Sequence, residues 1–155
     1  MEETEPLTPL HPNHVKAMRL TAIIAAVPFT IAALAAEITR LLPWGVFLVP
    51  VALVAAIIII RIPLRRYHAR GYRLAEERLQ VVRGMLFRRD TVVPFGRVQH
   101  IDVDQGPIER FYGLATLTLH TAGSHNASVS LPGLAHEDAL AMRDEIRAAI
   151  RRDTQ

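Results

Sequence analysis

The residues best suited to chemistry lie in one short alternating segment. His100, Asp102 and Asp104 stand at every second position, separated by Ile101 and Val103. Alternate residues of a strand share one face, and an imidazole with two carboxylates is a donor set that binds transition metals. The solvated half of an ordinary strand shows the same alternation. We therefore expect a solvated strand face here and predict no metal site.

Signatures of the common enzyme classes are missing from the sequence. The chain has no cysteine, which excludes disulfides, thiolate nucleophiles and cysteine metal ligands. It contains no Gly-x-Ser-x-Gly elbow, no phosphate-binding loop ending in Gly-Lys-Ser/Thr and no His-Glu-x-x-His pair. Glu76 and Glu77 have no evident partner for acid–base work. We expect no catalytic residue and no cofactor.

Two apolar stretches precede the alternating segment that contains His100, Asp102 and Asp104. Leu20–Ala36 and Leu41–Ile60 carry no formal charge, so the other 118 of the 155 residues hold all 33 charged side chains. Since an α-helix rises about 1.5 Å per residue, each stretch approaches the thickness of a bilayer core. The pattern predicts two membrane-spanning helices, at about 18–36 and 41–60, kinked by Pro28 and Pro50.

The short connection at 37–40 predicts a tight turn, with Glu37 and Arg40 paired at the membrane interface. Ala33-Leu34-Ala35 also resembles a signal-peptidase site, an alternative that the three N-terminal glutamates disfavour. Basic residues near the spans predict their orientation. Arg40 stands alone between the spans, whereas six basic residues flank their outer ends: Lys16, Arg19, Arg61, Arg65, Arg66 and Arg70. Both termini are therefore expected in the cytoplasm.

A soluble module follows, in which the apolar period changes to two. Alternation predicts antiparallel strands at 79–82, 86–95, 99–104, 116–121 and 127–131, with a hairpin turn at 123–126. Pro132-Gly133 is expected to separate the last strand from an amphipathic helix, whose apolar stripe comprises Ala139, Met142, Ile146, Ala149 and Ile150. The predicted division is an interfacial segment 1–16, a two-helix hairpin 17–62, a basic linker 63–70 and a domain 71–155.

Charge is distributed unevenly along this module. Nine arginines and two acids fall between Arg61 and Arg89, a balance of +7, whereas six basic and nine acidic residues follow, a balance of −3. The basic part adjoins the second span, where anionic lipid headgroups attract arginine. We predict lipid contacts at Arg61, Arg65, Arg66 and Arg70. The same position favours membrane over nucleic acid as the partner of this segment.

Four segments of the module together resemble a known family: Arg97-Val-Gln-His-Ile101, Gln105-Gly-Pro-Ile-Glu-Arg110, Gly113-Leu-Ala115 and His120-Thr-Ala-Gly123. They are similar to bacterial membrane proteins with a pleckstrin-homology-like (PH-like) domain of the YdbS type, and the resemblance extends over nearly the whole chain. It implies an α+β fold with a membrane hairpin. Two N-terminal transmembrane helices would precede a seven-stranded, bent antiparallel sheet or open barrel, capped by a C-terminal helix.

The residue pattern explains most of this motif as structure. Pro107 suits the first turn of a helix, and Ile108, Phe111 and Tyr112 are expected to anchor that turn to the core. Packing alone does not account for every polar residue of the motif. The candidate partner-binding residues are Gln99, His100, Gln105, Glu109 and Arg110.

These expectations favour a non-enzymatic interaction module, anchored in the bacterial inner membrane, that recruits or assembles protein partners at the cytoplasmic face. The partner would be another protein or a second copy of the chain. Two alternatives stay open: a domain that recognises anionic lipid, and a metal-dependent enzyme using His100, Asp102 and Asp104.

Overall fold

A computed structural model of the chain describes residues 6–40, 43–122 and 128–153. Its helices are α1 (Asn13–Ile38), α2 (Leu48–His68), α3 (Pro107–Phe111) and α4 (His136–Asp153). Its strands are β1 (Gly71–Leu74), β2 (Arg78–Arg83), β3 (Arg89–Pro94), β4 (Val98–Asp104), β5 (Leu114–Thr121) and β6 (Ser128–Ala135). A short 3-10 turn, Phe95–Arg97, joins β3 to β4. The predicted hairpin turn at 123–126 lies outside the described residues.

The first two helices form an antiparallel pair that is long and apolar enough to cross a membrane. Only 11% of the apolar window of α1 and 6% of that of α2 is buried within the protein. The core helix of a soluble protein would be mostly buried. The exposed apolar surface of this pair instead suits a lipid environment, in which a helix satisfies its own backbone hydrogen bonds.

The connection between these helices differs from the predicted tight turn. α1 ends at Ile38 and α2 begins only at Leu48, because Pro43 and a left-handed Gly45 (φ +94°) break the apolar run. The predicted pairing of Glu37 with Arg40 is wrong. The buried Glu37 carboxylate instead accepts hydrogen bonds from the backbone N–H groups of Gly45, Phe47 and Leu48, at 3.4 Å for the last two.

The prolines of the hairpin have different consequences. Pro28 lies inside α1, as predicted, but Pro50 is the third residue of α2, where a backbone N–H has no partner within the helix. Pro50 therefore removes no helical hydrogen bond and gives no reason for a kink. The proline inside α2 is Pro63, because this helix continues through the basic stretch to His68.

The soluble part contains two three-stranded antiparallel sheets, ordered β1-β2-β3 and β4-β5-β6. Their inner faces meet in one core, and the amphipathic helix α4 closes it with the predicted apolar stripe. The fully buried side chains at its centre include Leu79, Phe95, Leu117, Leu119 and Ile146. The described residues thus form six strands, and an isolated bridge between Thr8 and Tyr72 lies beside β1.

The N-terminal segment, residues 6–12, is part of this domain. Thr8 and Tyr72 exchange backbone hydrogen bonds of 2.8 and 3.1 Å, so the segment extends the first sheet beyond β1. Leu10 is 2% exposed and belongs to the core cluster. Its carbonyl accepts a 2.9 Å hydrogen bond from the hydroxyl of Tyr67, which lies on α2. The start of the chain therefore joins the domain to the end of the hairpin.

A bulge in β6 receives the same segment. Ala115 pairs with Leu134 but Leu117 pairs with Leu131, so β6 carries one extra residue around Pro132-Gly133. The carbonyl of Gly133 accepts a 2.8 Å hydrogen bond from the His11 N–H.

Gly133 also packs closely against α1. A Cβ atom there would lie 2.5 Å from Cγ of His14, and φ is +79°. Only glycine combines this conformation with such a close approach.

Several strand limits differ from the predictions for local reasons. Pro132-Gly133 was expected to end the last strand, but β6 continues to Ala135, because an outer strand tolerates a proline at a bulge. β3 begins at Arg89 rather than 86, since residues 84–88 form the loop between β2 and β3. The first predicted strand begins at residue 79, whereas the structure has a further strand before it, β1, which contains Tyr72 and Leu74.

We predict that Leu10→Ala destabilises the domain although Leu10 precedes the membrane hairpin. Removing a fully buried leucine side chain costs about 2–5 kcal/mol. Urea unfolding of the full chain in micelles measures the change. Phe111→Ala is the matched control because Phe111 is 77% exposed, and its effect should stay within about 0.5 kcal/mol. Equal effects of the two substitutions would contradict the burial of the N-terminal segment.

We also predict that Glu37→Gln weakens the membrane hairpin. The neutral amide of glutamine lacks the negative charge that strengthens the hydrogen bonds from the N–H groups at the start of α2 to the Glu37 carboxylate. A lost cap costs about 1 kcal/mol. Trp44, the single tryptophan, lies in the connection and reports its unfolding by fluorescence during titration with dodecyl sulfate. The midpoint should fall for Glu37→Gln and not for the exposed control Glu76→Gln. An unchanged midpoint would argue against the cap.

Candidate functional site

A carboxylate lies between two imidazoles on the open face of the second sheet. Nε2 of His100 is 2.7 Å from Oδ1 of Asp102, and Nε2 of His120 is 3.1 Å from Oδ2 of the same carboxylate. The register produces this cluster, because His100 pairs with His120 across β4 and β5 and Asp102 is the next residue along the same face. All three side chains are substantially exposed to solvent.

The residue grouping differs from the one that spacing suggested. His120 completes the cluster, whereas the exposed Asp104 forms no ion pair within the described parts of the chain. Both imidazoles contact the carboxylate directly. Across residues 6–40, 43–122 and 128–153, no three His, Cys, Asp or Glu side chains are arranged to hold a metal ion. His120 could have been found only by fixing the strand register, which sequence spacing does not provide.

Two of the candidate partner-binding residues hold the chain around α3. The Gln105 amide donates to the Leu114 carbonyl at 2.6 Å. The Glu109 carboxylate accepts from the Gly106 N–H at 2.9 Å and from the Thr116 hydroxyl at 2.7 Å. These contacts join the short helix to the start of β5, which gives both side chains a structural use.

The neighbouring Arg110 is exposed, and so is Phe111, with 77% of its surface accessible. The prediction that Phe111 anchors the turn to the core is therefore wrong. Ile108 and Tyr112, four positions apart, are the half-buried apolar residues of this turn. Phe111 is rotated by about 100° from Tyr112 around the helix, and its ring meets the Tyr112 ring edge-on, with the two ring centroids 5.1 Å apart.

Gln99 and His100 lie in a groove between β4 and α4. The groove has a volume of about 370 Å³, and Arg147 and Arg151 form its helical side. β4 is one of the two outer strands of its sheet, so the groove runs along a strand edge. The sequence signal for Arg147 and Arg151 is their spacing of four on the polar side of an amphipathic helix, but nothing in the sequence placed that side next to Gln99.

The candidate lipid-contact residues separate into two groups. Arg61 and Arg65 are exposed along α2, whereas Arg66 and Arg70 line a cleft with Arg83 and Arg89 of the β2–β3 hairpin. Burial lowers the pKa of the half-buried Arg70, and the nearby charges of Arg66 and Arg83 lower it further. Arginine stays charged at any physiological pH, so these groups repel one another in the folded protein.

The loop of the same hairpin carries an apolar tip that sequence reasoning missed. Leu86 and Phe87 are 85% and 86% exposed, and Met85 is 43% exposed. Leu86 and Phe87 fall at the start of the strand predicted at 86–95, because they continue an apolar run. In the sequence, Gly84 and the adjacent arginines flank this tip and are the features that indicate a loop. In the structure Gly84 has a φ of +134°.

Comparison with known proteins identifies a family with this architecture. The model of the bacterial PH domain family matches residues 13–150. The chain is 30% identical over 148 residues to UPF0699 transmembrane protein YdbS of Bacillus subtilis (strain 168), which covers 92% of this chain and 91% of the relative. No solved structure matches significantly.

The matched region includes the membrane hairpin as well as the sheets and the terminal helix, in agreement with the resemblance read from the sequence. A family match of this extent, together with two exposed apolar helices, makes the chain an integral membrane protein with a PH-like domain. This chain belongs to the bacterial PH domain family.

Proposed function

We propose that the chain is a non-enzymatic, membrane-anchored module that recruits a protein partner at the cytoplasmic face of the bacterial inner membrane. The observation that carries this proposal is the groove between β4 and α4, which combines an outer strand with two arginines. Because the membrane hairpin holds the domain at the bilayer, it raises the effective concentration of any membrane-bound partner, so that weak contacts suffice.

The proposed orientation follows from charge and from the fold together. α1 begins and α2 ends next to the domain, since Leu10 and Tyr67 are hydrogen-bonded there. Both outer ends of the hairpin therefore emerge on the side where the domain lies. This side carries Lys16, Arg19 and the arginines of the α2 end, whereas Arg40 lies in the opposite connection. The bias favours a cytoplasmic domain.

The chemistry of the groove favours an acidic, extended segment as the partner. Val98, Ile101 and Ile150 provide its apolar lining, and His100, Arg147 and Arg151 provide donors and positive charge. None of the described residues that line it is acidic. An extended segment could add to the edge of β4 through backbone hydrogen bonds while its carboxylates meet the arginines.

Photo-crosslinking in native membranes tests this proposal. A photoreactive amino acid replaces Gln99 in the groove, and a matched control replaces Glu137, which is exposed at the other end of α4. We expect an adduct with a distinct protein from position 99 only. Charge reversal by Arg147→Glu with Arg151→Glu should remove it, because those arginines bind the acidic segment.

The same experiment separates the alternatives. An adduct with twice the mass of the chain would indicate self-association and contradict recruitment of a different protein. Adducts that form equally from positions 99 and 137, or that survive the charge reversal, would reject the groove as the recruiting surface.

A further inference from the structure

A second surface lies at the end of the membrane hairpin. The end of α2 and the β2–β3 hairpin enclose a cleft of about 480 Å³, lined by Arg66, Arg70, Arg83 and Arg89. We name it the arginine cleft. The tip of the β2–β3 hairpin, residues 85–87, forms its apolar rim. Since α2 is the second spanning helix, the cleft lies where that helix leaves the bilayer.

The charges of the arginine cleft are not neutralised within the protein. None of the residues that line it is acidic, and none of its four arginines forms an ion pair with another described residue. Asp90 adjoins Arg89 in sequence, but its carboxylate accepts a 2.7 Å hydrogen bond from Gln80. Three like charges around the partly buried Arg70 are unfavourable, and a bound anion would relieve their repulsion.

The hairpin tip provides a second, independent observation. Leu86 and Phe87 expose most of their surface beside this cluster of charge. The backbone that projects them is tightly specified, because a Cβ at Gly84 would lie 1.8 Å from the carbonyl oxygen of Phe87. Exposed apolar side chains flanked by arginines suit the boundary between lipid headgroups and acyl chains.

We infer that the arginine cleft binds the phosphate of an anionic phospholipid while the hairpin tip inserts among the neighbouring acyl chains. Guanidinium groups bind phosphate oxygens through paired hydrogen bonds, which accounts for the choice of ligand. A soluble phosphate ester would satisfy the arginines but would leave Leu86 and Phe87 in water. The occupant is therefore a lipid in the leaflet from which α2 emerges.

This inference is independent of partner recruitment, because the β4–α4 groove shares no residue with the cleft. A lipid held between α2 and the β2–β3 hairpin would fix the tilt of the domain on the membrane. The domain would then contact the bilayer through a third point besides the two helices.

Native mass spectrometry of the full chain in detergent measures the proposed binding. We expect phosphatidylglycerol to be retained in preference to phosphatidylcholine. Arg70→Gln with Arg83→Gln should weaken phosphatidylglycerol binding about tenfold or more, given the contribution of each arginine near an anionic surface. Arg66→Gln with Arg89→Gln should act in the same direction and changes only exposed residues, which protects the test against misfolding.

The matched control is Arg147→Gln with Arg151→Gln, which removes the same charge from the β4–α4 groove. It should retain phosphatidylglycerol like the unchanged chain. Equal retention of the two lipids, or equal loss in all three double variants, would overturn the inference. Glycerol 1-phosphate in the detergent solution distinguishes the source of the phosphate, since competition at concentrations similar to those of the lipid would show a soluble anion site instead.

Fluorescence quenching tests the insertion of the tip. Phe87→Trp is combined with Trp44→Phe, so that the only tryptophan lies at the tip. In vesicles of phosphatidylglycerol with brominated acyl chains, its emission should fall strongly, and the additional change Arg66→Gln with Arg89→Gln should reduce the quenching. Emission that brominated lipid leaves unchanged would show that the tip stays in water and would contradict the proposed lipid site.

Discussion

The burial of Leu10 in the domain core is the interaction on which the remaining structure depends. The chain enters the first sheet at Thr8, fills the core with Leu10 and bonds to the β6 bulge through His11 before it begins the first helix. Burying a leucine side chain contributes roughly 1.5–3 kcal/mol to the stability of the fold. The backbone hydrogen bonds of Thr8 and His11 fix the orientation of the segment in the domain. The beginning and the end of the membrane hairpin are thus held by one domain.

This arrangement explains why the domain is not simply suspended from a flexible linker. α2 continues as a helix to His68, the hydroxyl of Tyr67 bonds to the carbonyl of Leu10, and Gly133 allows His14 of α1 to approach β6. These contacts attach the domain to both spans and therefore fix its orientation relative to them. The same contacts fix the position of the arginine cleft beside the membrane. They also fix the position of the exposed tip of the β2–β3 hairpin.

The elements with a strong period were predictable, and the contacts between distant segments were not. The two spans, the alternation around Ile101 and the apolar stripe from Ala139 to Ile150 are local patterns, and the structure confirms helices and strands there. The place of Leu10 in the core depends on a segment that the hairpin separates from the domain. The contact of His120 with Asp102 depends on the register of β4 and β5. Neither leaves a periodic signal in the sequence.

The folding of residues 71–155 expressed alone tests the central claim most directly. The domain lacks Leu10 and the strand edge from Thr8 in this fragment, so we predict a poorly dispersed amide spectrum in nuclear magnetic resonance. Joining residues 6–16 to the fragment through a flexible glycine–serine linker should restore dispersion and cooperative thermal unfolding. A well-dispersed spectrum of residues 71–155, with the same thermal midpoint as the joined form, would contradict the account.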